Sequence, residues 1–271
     1  MNKLARQISM NAVSPFTIAF WCFFLIAVSL LRAPSTAFGE TLRVTAAADL
    51  MSVLPEISRQ FTKKTHVTVR ISYSSSGESA IAIRHHAPFD LFLSADSSFP
   101  EKLSKQGWVI ADSVKMYTKG ILVLWVPDKP LPSGTTGKIG TSTLLDPGIR
   151  KVALANPRLA PYGHAGMECL KSRKLWAPLH KKLVYANTLA QVSQYMRTKT
   201  ADAGFLSKAQ AMILSRHLKG TTIELSPGCV PDLDQKMAIV KTSSHLKEAR
   251  DFEDFILGQK TQDFLKSHGY R

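Results

Sequence analysis

From Thr41 onward the chain alternates short apolar runs with amphipathic ones. LRVTAA, VTVRISY and DLFLSA read as strands, and DLMSVLPEISRQF, ESAIAIRHH and SSFPEKLSKQG read as helices. In the first helical run, Leu50, Val53, Leu54, Ile57 and Phe61 recur at helical spacing, so one stripe faces a core. Pro55 has no N–H to give, and is accommodated only if the regular helix begins close to it. Strands and helices in alternation predict a parallel sheet with crossover helices.

The run GILVLWVP, Gly120 to Pro127, is too apolar for an edge strand, and the turn-rich PLPSGTTGKIG after it marks a passage into a second lobe. There KVALA, a helix opening at Gly163, a strand near Leu183 to Tyr185, a helix Leu189 to Met196 and the strand ADAGFL repeat the alternation. After Thr221 to Leu225, SPGCVPDLDQ breaks regular structure before the strand KMAIV and two closing helices, Leu246 to Leu257 and Gln259 to His268. Those helices carry too few apolar residues for a core of their own and are predicted to pack on the first lobe. The expected organisation is an α/β fold of two lobes. Residues 40–120 and 235–271 form the first, residues 121–234 the second, and two hinge crossings join them.

Residues 1–39 lie ahead of this pattern. Lys3 and Arg6 precede an apolar run from Pro15 to Leu31 and then small residues in APSTAFG, the layout of a cleavable signal peptide for export to the periplasm. Cleavage after Ala37 or Gly39 is compatible with these residues; an uncleaved membrane anchor is the alternative, since the run is near the lower limit of about 17 residues for a span. The composition, 45% hydrophobic and 20% charged over 271 residues, is globular. A net charge of +15 would help gather anions, yet it is scattered in short clusters without interleaved aromatics, so nucleic acid is not an expected partner. Cys22 falls within the apolar leader, and Cys169 and Cys229 are left open between a disulfide and two buried thiols.

Signatures of common enzymes are absent: no G-x-S-x-G, H-E-x-x-H, phosphate loop or C-x-x-C occurs. His85 and His86 are adjacent, which on a helix points them about 100° apart, and no third ligand follows at chelating spacing. They read as surface histidines. A secreted enzyme using Ser76 with a base such as His164 is the competing functional class.

Four places share one feature, a strand-like segment ending in small or turn-forming residues just before a helix. They are AAADL (Ala46 to Leu50), SSSGES (Ser74 to Ser79), NPRLAPYGHAG (Asn156 to Gly166) and NTLAQ (Asn187 to Gln191). Strand C-terminal ends line the ligand crevice of an α/β sheet, and helix N-termini there offer free N–H groups to an anion. Taken singly, each is also an ordinary cap or turn.

Together with APFDLFLSAD, ALANPRLAPYG, ADAGFL and KMAIV, these segments resemble the periplasmic molybdate-binding proteins of ABC importers over essentially the whole mature chain. The resemblance implies a type II periplasmic-binding fold whose lobes close over molybdate or tungstate. It further implies a monomer with no organic cofactor and no metal-chelating cluster, which catalyses nothing and docks on an inner-membrane permease driven by an ATPase. The family's ligand contacts fall on Ala48 and Asp49 in the first loop, Ser76 in the second, Tyr162 through its backbone amide, and Leu189 likewise. A tyrosine that some members use after the G-F-x strand is replaced by Ser207. Asp49 stands where many members have serine, and a carboxylate facing a dianion would cost on the order of 4 kcal/mol. Three resolutions are open: Asp49 caps its own helix, which is the expectation; it is protonated and donates; or the ligand is another small anion or a polar organic acid. Tyr162 is expected to offer its hydroxyl to the ligand in compensation.

Overall fold

The computed structural model describes residues 40–128, 140–225 and 228–271. Residues 1–39, where the signal peptide is expected, and most of the turn-rich stretch after Pro127 lie outside the described residues. In chain order the elements are β1 (Thr41–Ala47), a 3₁₀ turn (Ala48–Ser52), α1 (Leu54–Thr65), β2 (Thr68–Ser74), α2 (Ser76–Arg84), β3 (Leu91–Leu93), α3 (Ser98–Lys105) and β4 (Lys115–Lys119). They continue with β5 (Leu122–Pro127), β6 (Val152–Ala155), α4 (Pro161–Ser172), α5 (Trp176–Leu179), β7 (Leu183–Ala186), α6 (Leu189–Arg197) and β8 (Ala203–Ser207). Last come α7 (Lys208–Leu214), β9 (Gly220–Glu224), β10 (Asp234–Ile239), α8 (Leu246–Leu257) and α9 (Gln259–Ser267). Among the described residues no helix is long and apolar enough to cross a membrane.

Pro55 sits in the first turn of α1, where its missing N–H has no intrahelical acceptor to satisfy. Pro161 does the same for α4, which therefore opens ahead of Gly163. A methyl at Gly163 would lie 2.6 Å from the Ala155 carbonyl carbon, so glycine lets the start of α4 press against the end of β6.

Two five-stranded sheets result, ordered β2-β1-β3-β10-β4 and β7-β6-β8-β5-β9. Neither is wholly parallel. β1 runs parallel to β2 and β3, and β6 to β7 and β8, while β10 and β5 are antiparallel to both of their neighbours. The exceptions have one cause: β5 and β10 are the strands by which the chain passes directly from one sheet to the other, so no crossover helix orients them. Side-chain alternation places the first sheet between two helix layers. Leu91, Leu93, Met237 and Ile239 face a core with Phe61, Phe252, Ile256 and Leu265, so the closing helices do pack on this lobe. Phe92 and Ala238, one residue out of phase, face Ala80, Ile83 and Leu103 on the other side.

The second sheet carries a separate core that includes Leu124, Leu154, Phe205, Leu170 and Val192. Cys169 on α4 and Cys229, in the segment returning to β10, are joined as a disulfide with Cα atoms 4.4 Å apart. This ties the return segment to the second lobe.

Candidate functional site

The C-terminal ends of β1, β2, β3, β6 and β7 converge on a small hollow. Its walls are Ala47, Ala48 and Asp49 after β1, Ser74 to Ser76 after β2 and Ala95 after β3, closed from the other lobe by Ala160, Pro161, Tyr162 and Leu189. Its volume is only ≈ 10 Å³, against about 300–1,000 Å³ for pockets that hold organic ligands. A site on this scale has room for about one water-sized group and none for an organic metabolite. The lobes touch around it: Gln210 Nε2 donates to Ala48 O at 2.8 Å, and Gly77 N–H donates to Leu159 O at 2.9 Å.

Ser76, Tyr162 and Leu189 stand in the first turns of α2, α4 and α6, where a backbone N–H finds no intrahelical acceptor. α2 and α6 are held at that point by side-chain caps, while α4 opens on Pro161 without one. Ser75 and Glu78 form a reciprocal capping box on α2. Thr188 Oγ1 accepts from Gln191 N–H on α6. Ser76 Oγ accepts from Ala95 N–H at 3.0 Å, which fixes the hydroxyl and leaves its hydrogen to donate. The hollow thus gathers neutral donors and positive helix ends and no lysine or arginine.

Asp49 is the anomaly. It does not cap its helix: Ala47 is the N-cap of the 3₁₀ turn, and no side chain caps it. Instead Asp49 Oδ2 accepts from Gln235 Nε2 at 2.8 Å and from the Tyr162 hydroxyl at 3.2 Å, so the carboxyl is bound across the lobe boundary. The expected capping role is therefore corrected, because Asp49 lies within the turn rather than at its N-cap and its carboxyl is taken by Gln235 and Tyr162. The Tyr162 hydroxyl is likewise engaged by Asp49, with Gln235 Nε2 3.2 Å away. Tyr117 holds the Gln235 amide from behind, hydroxyl to Oε1, at 2.7 Å, and Tyr270 donates to Asp49 O at 2.9 Å. Burial lifts the Asp49 carboxyl to about 6, against the pull of these hydrogen bonds.

Of the residues expected from sequence, Ala48, Asp49, Ser76, Tyr162 and Leu189 all line the hollow. Ser207 does not. It is the N-cap of α7, its Oγ accepting from Gln210 N–H at 3.2 Å. His164 is exposed on α4 while Ser76 is buried and bonded to Ala95, so the two form no nucleophile–base pair. His86 meets the Trp108 ring edge-on at 5.1 Å. Gln235, Tyr117, Tyr270 and Gln210 were missed. A signal existed for Gln235, which shares the apolar face of β10 with Met237 and Ile239 and is fully buried, whereas a tyrosine at the chain's end carries none.

The family model for bacterial extracellular solute-binding proteins matches residues 42–271. A molybdate-binding protein of Azotobacter vinelandii is 30% identical over 234 residues, 86% of this chain and 91% of its own. One from Rhodobacter capsulatus is 29% identical over 256 residues, 94% of this chain and 97% of its own. The solved structure of the Azotobacter vinelandii periplasmic molybdate-binding protein matches with a TM-score of 0.77 at 31% identity, covering 85% of this chain and 98% of that one.

Proposed function

We propose that this chain, which belongs to the family of bacterial extracellular solute-binding proteins, captures a tetrahedral oxyanion, molybdate or tungstate, for an ABC importer. Its fold is that of the type II periplasmic binding proteins. In this reading the mature protein works in the periplasm, released from its signal segment. It closes over the anion between the two lobes and presents it to a membrane permease whose ATPase does the work. Relatives that bind molybdate support the ligand class.

The observation that carries the proposal is the convergence of three helix N-termini and the Ser76 hydroxyl on one small hollow between the lobes. Each such terminus stabilises an anion by up to about 2 kcal/mol when partly buried. Ser76 adds a hydroxyl, and Tyr162 and Leu189 add backbone amides from the opposite lobe, so ligand contact and lobe contact come together. The hinge is expected at the two crossings, between Lys119 and Leu122 and between Glu224 and Asp234.

Calorimetric titration of the mature protein with molybdate, tungstate, sulfate and phosphate tests the assignment. Molybdate and tungstate are expected to bind far more tightly than the other two. Ser76→Ala is expected to weaken molybdate at least tenfold, near the loss of one charge-assisted hydrogen bond of about 1.5 kcal/mol. Unchanged affinity in that variant would remove Ser76 from the site.

A further inference from the structure

Asp49 Oδ1 is buried and has no hydrogen-bond partner, although Asp49 lines the hollow and is only 1% exposed. The groups packed about this carboxyl come from every neighbouring element: Tyr117 from β4, Tyr162 from α4, Gln235 from β10, Tyr270 from the C-terminus, and Gln210 from α7 through the adjacent Ala48 carbonyl. Burial and the charge of Asp49 hold the three phenols well above their ordinary range, so they stay neutral, and the two amides do not ionise. None of these groups is a cation.

A proton arriving at this carboxyl has one place to go. Oδ2 already accepts from Gln235 and Tyr162, so the hydrogen sits on Oδ1. The resulting O–H is a buried donor at an atom that, among the described residues, has no hydrogen-bond partner. A tetrahedral oxyanion supplies one. Resting on the oxyanion reading above, we propose that Asp49 takes up one proton as the anion enters and that its neutral Oδ1–H donates to a ligand oxygen.

Asp49 is then a specificity-determining residue. With Ser76 Oγ–H, the helix amides and Oδ1–H all donating, the site consists of donors alone and suits a fully deprotonated dianion. An anion that keeps a hydroxyl, such as monohydrogen phosphate, finds no acceptor there. Were Asp49 to stay ionised, the preference would reverse, since Oδ1 would accept from that hydroxyl.

Titration calorimetry with molybdate at pH 7.5, in two buffers of different protonation enthalpy, counts the protons exchanged. The expected result is close to one proton taken up per anion bound, with the molybdate Kd rising about tenfold per pH unit between pH 7 and 9. Asp49→Asn, whose amide donates from the same place, is expected to bind without proton uptake and with a Kd flat over that range; a thermal melt confirms that it is folded. Tight wild-type binding with no proton uptake overturns the proposal while leaving the oxyanion function standing. Uptake that persists in Asp49→Asn overturns it equally. No molybdate binding by the wild-type protein between pH 5.5 and 8.5 brings down the oxyanion reading, and this inference with it.

Discussion

Gly120 lies at the first crossing between the lobes, its N–H bonded to Leu233 O at 2.8 Å. A methyl placed there would meet Tyr162 Cζ at 2.9 Å and Gln235 Nε2 at 3.0 Å, with the Tyr162 hydroxyl nearer still. Ordinary contact needs about 3.5–4.0 Å. Gly120→Ala must therefore push the phenol away by roughly 1 Å, and the 3.2 Å bond to Asp49 then exceeds hydrogen-bonding reach. Tyr162 cannot swing freely, because it is buried and Gly163 seats its helix against Ala155. Overpacking costs about 1–3 kcal/mol, and a buried donor left without its acceptor about the same again. A total of about 2–6 kcal/mol corresponds to a Tm lower by roughly 4–24 °C in a chain of this size. Thermal melts of Gly120→Ala, Tyr162→Phe and the double variant form the assay. Phe lacks the atom nearest the new methyl, so the double variant is expected to lose less than the two single losses added together. A Gly120→Ala protein that melts within 1 °C of wild type, or a strictly additive cycle, would refute this account of how the crossing is packed.

The disulfide spans 60 residues of sequence, and its removal is expected to cost about 4 kcal/mol through the entropy of the unfolded chain; a denaturant titration of Cys169→Ala/Cys229→Ala checks this, and an unchanged midpoint would contradict it. Because burial raises the Asp49 carboxyl from 3.8 to about 6, the folded state holds a proton that the unfolded chain has lost between those pH values. This group's unfavourable contribution, about 3 kcal/mol, is complete above pH 6 and fades as pH falls toward 3.8. Ligand-free Asp49→Asn should therefore be more stable than wild type at pH 7.5, by a margin that shrinks at pH 4.5; a margin that widens on acidification would refute it.

What the sequence made legible divides along a physical line. Periodicity reports which face of an element meets a core, so β1, α1 and β5 were readable from the apolar runs that hold Leu42, Phe61 and Leu124, and the closing helices from having too few apolar residues for a core of their own. Strand ends followed by small residues likewise located the hollow, since Ser76, Tyr162 and Leu189 line it from the first turns of their helices. Direction and pairing were not readable. Nothing in KMAIV says that it runs against its neighbours, because that follows from where the chain arrives. The Asp49 network was the least accessible part: Tyr117, Tyr162, Gln235 and Tyr270 are far apart in sequence and share no local pattern. Only the fold brings the Tyr162 phenol and the Gln235 amide onto one carboxyl, with Tyr117 behind the amide and Tyr270 on the Asp49 carbonyl, and that assembly replaces the helix cap which a short-range reading of Asp49 would assign. A cap can form wherever a helix starts, so it is predictable from neighbours in sequence. A carboxyl bonded from two lobes depends on both lobes being in contact, which no run of neighbours in sequence encodes.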